Sequence, residues 1–332
     1  MKFRKIICIL ASVLVLFSGV YVSGVSYDKA AEEWVTFIVE VEGDPTLVSE
    51  QAQAMGAESY VKTNEAKEAE ASILKKQAAV VRDISNKVQA GAAKGYTYTA
   101  LFNGFSVEGK LGDLEAIAAL PEVKNVYVSQ KRYLQDPRID SAEEITGVPQ
   151  VIETYELKGE GQVVAVIDSE FDTSHEFFAE PVESPKYTKD DIARILSEET
   201  MNVSVTANRV YKNSKIPFAY DYAQNTADTF NDDPGVVHGT HVAGITAGKN
   251  GTGADGSLVS GVAPEAQLIL MKATDQNGAF VDAAILAAID DASKLGVSAI
   301  NMSLGSDYMT TSQDIVFQPV LDAARNAGIF LS

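Results

Sequence analysis

Cysteine is almost missing from this 332-residue chain: Cys8 is the only one, so no disulfide framework can staple the fold. Histidine is nearly as scarce, with three residues, His175, His238 and His241. Basic charge is short as well. Against 46 acidic residues stand 27 Lys and Arg, a formal net charge of −19. A phosphate backbone is bound by Lys and Arg clusters, so this balance argues against nucleic acid as a partner. It does not choose among solubility, secretion and a cationic partner. Internal repeats and low-complexity tracts are also lacking. What is plentiful is apolar sequence, 46% of the residues, enough for more than one core.

The N-terminus has the anatomy of a secretory signal peptide. Lys2, Arg4 and Lys5 are basic, residues 6–17 are apolar apart from one serine, and small residues follow at Ser18, Gly19, Ser23 and Gly24. Such a segment is removed on export, so residues 1–24 are expected to be lost and the location to be extracellular or cell envelope. The apolar run is shorter than the roughly 20 residues that span a bilayer, which disfavours a membrane anchor. Cys8 lies inside it, so the exported chain is expected to be free of cysteine.

Residues 34–133 read as a small module. Val35, Phe37, Val39 and Val41 alternate along a strand. Residues 62–90 are rich in Ala, Glu and Lys and predict a long helix. Two aromatic and β-branched runs flank Asn103-Gly104, which predicts a hairpin. A short helix stopped by Pro121 and a strand over 123–128 complete a β-α-β-β-α-β order, which is ferredoxin-like. Residues 134–158, charged and without periodicity, read as a linker. From residue 159 to 332 strands alternate with helices. The apolar run Val163–Asp168 and those near 266–273, 298–303 and 328–331 are strands, and 280–295 a helix. Apolar strands joined by helices predict a parallel α/β sheet covered on both faces.

Two stretches carry chemistry. Val163-Val164-Ala165-Val166-Ile167-Asp168-Ser169 is a buried strand that ends in a carboxylate, and ligand sites in such sheets lie beyond the strands' carboxyl ends. In His238-Gly239-Thr240-His241-Val242-Ala243-Gly244, a glycine-flanked loop becomes an apolar helix and opens with an imidazole. A carboxylate can hold a histidine in one tautomer and stabilise the imidazolium formed during acyl transfer. Alone, Asp168 is equally a turn former; together the two are two thirds of an Asp/His/Ser hydrolase. His238 and His241 lack the Glu and third ligand of a zinc helix; His241 and His175 read as scaffold. Asp221, Asp228, Asp232 and Asp233 offer hard oxygen ligands for a structural calcium, against the plainer reading of a solvated acidic loop.

Four segments stand in a set order: Val-Ala-Val-Ile-Asp168-Ser, His238-Gly-Thr-His-Val-Ala-Gly, Gly261-Val-Ala-Pro-Glu-Ala and Ile300-Asn-Met-Ser-Leu-Gly305. They resemble the successive signatures of the subtilisin-like serine proteases. The long insertion between Asp168 and His238 is similar to that of the cell-envelope branch, of lactocepin and C5a-peptidase types. Phe102-Asn-Gly-Phe-Ser106 and Leu120-Pro-Glu-Val-Lys-Asn-Val-Tyr127 resemble that family's inhibitor-like propeptide. The resemblance implies a parallel-sheet catalytic domain, incomplete here, behind a ferredoxin-like propeptide that binds it. It implies protein or peptide substrates and no cofactor for the chemistry. Asp168 is then the orienting acid, His238 the general base, and Ser303, Leu304 and Gly305 the segment that pairs with extended substrate.

Two departures stand out. The family's Gly-Thr-Ser-Met-Ala nucleophile motif and Ala-Gly-Asn oxyanion motif do not occur, so the chain as it stands is expected to be inactive. Glu170 occupies a position where the family ordinarily has glycine, which can alter a turn or add negative charge beside the acid. Two readings follow: an endopeptidase zymogen represented by its N-terminal piece, or a non-catalytic secreted product of a truncated gene.

Overall fold

The structure is a computed structural model that describes residues 31–88, 94–129, 131–132, 147–230, 237–253, 256, 258–304 and 316–332. The signal-peptide reading, most of the linker, Asp232, Asp233 and Gly305 lie outside these residues. Contacts divide the chain into two units, residues 1–130 with 307–328, and residues 131–306 with 329–332. The division departs from the sequence boundaries in two places. Residues 131–158 group with the second unit, where β5 (Lys131–Arg132) pairs with β11 (Phe280–Val281). Residues 307–328 group with the first, where the Ala57 N–H donates to the Ala327 carbonyl at 3.1 Å.

The first unit is built on β1 (Trp34–Val41), α1 (Asn64–Lys87), β2 (Lys94–Tyr98), β3 (Gly104–Lys110), α2 (Leu114–Ala118) and β4 (Val123–Val128). The sheet order is β2-β3-β1-β4, with β1 antiparallel to both neighbours, the ferredoxin-like arrangement. Period-two alternation puts Phe37, Val39 and Val41 on one face, where they meet Val80 and Ile84 of α1 and Ile117 of α2 in a single core. The hairpin forms without the tight Asn-Gly turn that the sequence suggested, because five residues separate β2 from β3. Asn103 is buried; its Nδ2 donates to the Gly43 carbonyl at 3.0 Å and its Oδ1 accepts from Gln77 at 3.1 Å. Gly104 is set by close approach, since a Cβ there would lie 2.3 Å from the Val39 carbonyl oxygen.

The second unit is doubly wound. Its main strands are β6 (Val163–Asp168), β7 (Phe218–Asp221), β10 (Gln267–Lys272), β12 (Ala299–Asn301) and β13 (Phe330–Leu331), in the order β13-β12-β6-β10-β7 and parallel throughout. A two-stranded ribbon of β8 (Gly251–Thr252) and β9 (Leu258–Val259) stands apart. The chain leaves β6 toward β7 and β10 on one side and reaches β12 and β13 on the other. The strand order therefore reverses at β6, and in such sheets ligands bind beyond the carboxyl ends of the strands at that point. Val166, Leu268 and Leu270 pack with Val242, Ala243 and Ala247 of α3 (His238–Ala247). Ala165, Ile167, Ile269 and Met271 alternate with them and are equally buried, as in a sheet covered on both faces.

Helix α4 (Asp282–Lys294) is buried from Asp282 through Ser293. It starts two residues later than its periodicity suggested, because Phe280 and Val281 join β11. The segment between β6 and β7 explains its burial. Lys186 donates to the Gly296 carbonyl at 2.9 Å, Tyr187 to that of Leu295, and Lys294 to that of Thr200. Asn202 donates its backbone N–H and its Nδ2 to the Asp291 carboxylate, whose Oδ2 also accepts from the Tyr222 hydroxyl at 2.8 Å. Residues 186–202, part of the long spacing between Asp168 and His238, thus cover α4. No helix among the described residues is long and apolar enough to cross a membrane.

Candidate active site

Asp168 ends β6 at the point where the strand order reverses, and its side chain is fully buried. His238 opens α3, with its side chain 10% exposed, and its Nδ1 lies 2.8 Å from Asp168 Oδ1. The same oxygen accepts the Ser169 N–H at 2.6 Å. Asp168 Oδ2 is buried with no hydrogen-bond partner among the described residues. Burying a carboxylate oxygen unbonded is costly. Here the cost falls where a positive charge on the imidazole would be compensated. With Nδ1–H donated to the carboxylate, the neutral ring carries its lone pair on Nε2, which is the form a general base needs.

The turn after β6 holds α3 in place. The helix lacks a side-chain cap of its own at Val237. Instead Ser169 Oγ accepts the Gly239 N–H at 3.1 Å, and the Glu170 carbonyl accepts the Thr240 N–H at 3.1 Å. Thr240 Oγ1 then accepts the Asp172 N–H at 2.9 Å. This lacing demands glycine at 239, where a Cβ would sit 2.8 Å from the Glu170 carbonyl oxygen and 3.2 Å from Asp168 Cβ. Strand end and helix start are therefore fastened within one residue of each member of the pair.

Sequence reasoning missed Lys272. It ends β10 in register with Asp168 on one side and Asp221 on the other. Its side chain is fully buried, 2.6 Å from Asp221 Oδ2 and 3.5 Å from Glu170 Oε1. The signal was present: it is the single charge in the apolar strand Gln-Leu-Ile-Leu-Met-Lys. Burial pushes the Asp221 carboxyl up, with Lys272 pulling against it. Asp221 is thus engaged with a lysine, while Asp228 is exposed and lies 3.7 Å from Arg209. No group of three or more His, Cys, Asp or Glu side chains that could hold a metal occurs among the described residues.

Ser303 and Leu304 follow β12, and Asn301 pairs with Val166, so continuing the register carries Ser303 to the level of Asp168. Ser303 Oγ accepts from Asn301 Nδ2 at 2.9 Å. His175 serves the backbone, its Nδ1 accepting the Phe177 N–H at 3.3 Å. A separate cleft of about 680 Å³, lined by residues including Ile152, Glu153, Lys249, Val262 and Glu265, includes neither Asp168 nor His238.

A parallel sheet with an acid at its reversal point and a histidine at the head of the neighbouring helix defines a class, and comparison with known proteins agrees with it. Residues 159–331 match the subtilase family, and residues 36–135 match peptidase inhibitor I9. The chain belongs to the subtilase family. It is 32% identical over 315 residues to a PII-type proteinase of Lactococcus lactis subsp. cremoris, covering 92% of this chain and 16% of that protein. It is 34% identical over 153 residues to a C5a peptidase of Streptococcus pyogenes serotype M6, covering 45% of this chain and 12% of that one. The crystal structure of fervidolysin from Fervidobacterium pennivorans, a keratinolytic enzyme related to subtilisin, matches with a TM-score of 0.47 at 16% identity, over 90% of this chain and 39% of that one. The chain thus spans less than a fifth of the length of the two bacterial peptidases.

Proposed function

We propose that this chain supplies the acid and the base of a secreted serine endopeptidase made as a zymogen. The observation that carries the reading is the 2.8 Å contact between His238 Nδ1 and Asp168 Oδ1 beyond the carboxyl end of β6. Asp168 fixes the tautomer and stabilises the imidazolium. His238 Nε2 takes the proton of a serine that lies outside these residues, in the family's Gly-Thr-Ser-Met-Ala motif, and later gives it to the leaving amine. Ser303, Leu304 and Gly305 offer backbone hydrogen bonds to an extended peptide, which binds polypeptide with little regard to sequence. The chemistry needs no cofactor. The inhibitor-like module occupies the site of its own catalytic domain until it is cleaved, and residues 1–24 direct export.

The test extends the chain through the serine motif and assays casein and a peptide substrate. His238→Ala is expected to lower kcat by roughly 10⁶, a magnitude known for subtilisin itself and not read from this structure. Equal turnover in parent and variant would overturn the reading.

A further inference from the structure

The cleft of about 680 Å³ in the second unit lies at the far end of the sheet from the Asp168–His238 pair. Lys158 and Glu265 border it, joined by the Glu265 N–H and the Lys158 carbonyl at 2.8 Å, and they precede the amino ends of β6 and β10. Asp168 closes the opposite end of β6, roughly 16 Å further along at the rise of a strand. Helix α3 tells the same story: His238 opens it, whereas the Val262 N–H reaches the Ile245 carbonyl near its end at 2.9 Å. The inner wall of the cleft is fixed. Lys249 Nζ lies 2.6 Å from Glu265 Oε1, and both side chains are largely buried. Lys249 also donates to the Pro181 carbonyl at 2.9 Å, and Glu265 Oε2 accepts the Glu183 N–H at 2.9 Å.

One side of the cleft is the helix Val148–Tyr155, and none of its described side chains is buried. A helix of eight residues is too short to be stable by its own hydrogen bonds, and such helices are held by packing an apolar face. Val148 and Ile152, one turn apart, line the cleft together with Val262, which is 45% exposed. Val151 and Tyr155, the next apolar pair on the helix, are also exposed. The charge around this apolar surface has one sign in excess. Among the described lining residues Glu153, Glu180, Glu183 and Glu265 stand against Lys158 and Lys249, four negative charges to two positive. Lys249 and Glu265 pair with each other, which leaves three carboxylates and one lysine.

An apolar floor with an acidic rim suits side chains that are apolar along the stem and cationic at the tip, as Lys and Arg are. We propose that this cleft docks a basic polypeptide segment, with its aliphatic stems on Val148, Ile152 and Val262 and its cationic tips on Glu153 and Glu183, so that a basic protein is held at the end of the second unit opposite the Asp168–His238 pair. A free polyamine meets the rim but leaves the apolar floor without a partner, which is why the occupant is a peptide. The proposal goes beyond the protease reading and does not depend on it.

The experiment titrates the full chain with a fluorescent peptide of Lys-Val-Gly repeats, its Glu-Val-Gly counterpart, and spermidine. The basic peptide is expected to bind saturably, less tightly as salt is raised, and the acidic one not at all. The double variant Glu153→Lys, Glu183→Lys should weaken binding about tenfold. Glu108→Lys, Glu122→Lys makes the same change in net charge on exposed residues of the first unit and should stay near the parent. Should the reversal unfold the chain, Glu153→Gln with Glu183→Gln removes the charge at constant shape and should weaken binding about threefold. Absence of saturable binding by the parent overturns the proposal. So does equal weakening in the two reversal variants, which would trace binding to the acidity of the whole chain, and so does binding of spermidine without the peptide. Turnover of a short peptide by the extended protein should be untouched by the cleft variants, so failure of His238→Ala to reduce turnover sinks the protease reading while the binding result stands on its own.

Discussion

In the first unit Glu40 is the one charged side chain among the buried described residues, whereas the second unit buries Asp168, Glu170, Asp221, Lys272, Asp290 and Asp291 among others. Glu40 is fully satisfied by Lys124, Asn125 and Tyr127, at 2.6, 2.7 and 2.9 Å. The other buried polar side chains of that unit, among them Gln77, Thr99 and Asn103, are uncharged. Part of the second unit's buried charge lies at the carboxyl ends of adjacent parallel strands, where three successive strands end in Asp221, Lys272 and Asp168 in one register. A core held mainly by apolar burial needs few charges. Charges buried at strand ends must find partners there, and apolar packing alone would not select them.

The comparison breaks first at Lys272. Lys272→Met leaves the buried Asp221 carboxylate without the cation 2.6 Å away, and is expected to cost about 3–5 kcal/mol. Ile84→Ala in the first unit removes a fully packed side chain and costs about 2–5 kcal/mol through lost burial and a cavity. Urea denaturation distinguishes the two by their pH response. The Lys272→Met penalty shrinks at acid pH, where the Asp221 carboxyl, already pushed up by burial, protonates, while that of Ile84→Ala does not. Matching pH profiles would show that the buried charges are incidental.

How much of this the sequence disclosed follows the same division. Strands β1, β4 and β6 were legible because their patterns are local: alternation in one case and an unbroken apolar run ending at Asp168 in another. Asp168 and His238 stand out in the sequence because short motifs surround each, and the structure sets them 2.8 Å apart. Asn103-Gly104 was legible as a break but not in its purpose, because the partners of Asn103 lie at Gly43 and Gln77. Lys272, Asp221 and Glu170 are far apart in the chain, and only strand register brings them together. Nothing local marks Ser169 as the cap of a helix seventy residues on.

A second prediction uses two buried groups of the second unit whose titrations oppose each other. Burial pushes the Asp291 carboxyl up to about 7. The folded state then holds a proton that the unfolded chain releases, so this group lowers stability as pH rises from the ordinary carboxylate range to about 7. Burial also pulls Lys215 down to about 7, its Nζ held by the Pro264 and Ala266 carbonyls at 2.7 and 2.8 Å. The unfolded chain then holds the proton that the folded state gives up, so stability rises from about 7 toward the ordinary lysine range. Together they place a trough near neutrality. Urea midpoints measured on both sides of neutrality should show Asp291→Asn flattening the acid side and Lys215→Met the alkaline side. If each variant tracks its parent in parallel, the burial of these charges does not govern stability.

The smallest effect sharpens the comparison most, because it sets one kind of bond in two places. Thr63 Oγ1 accepts the Ala66 N–H at 3.1 Å and caps α1 from within the first unit. Ser169 Oγ accepts the Gly239 N–H, also at 3.1 Å, and caps α3 from a different strand. Both bonds satisfy a donor in the first turn of a helix, so Thr63→Ala and Ser169→Ala should each cost about 1 kcal/mol. Their consequences should differ. The Ser169 bond joins the residue after Asp168 to the residue after His238, so losing it loosens the distance between Asp168 and His238. The Thr63 hydroxyl bonds instead to its own helix, at Ala66, and to the preceding turn, at Tyr60. The His238 titration curve should therefore shift in Ser169→Ala and stay fixed in Thr63→Ala, at equal loss of unfolding free energy. Equal stability losses with no change at His238 in either variant would mean that the strand-to-helix lacing supports the scaffold alone. The pair would then owe its geometry to the register of the parallel strands and to Gly239, whose close fit against Glu170 would be enough to seat the helix.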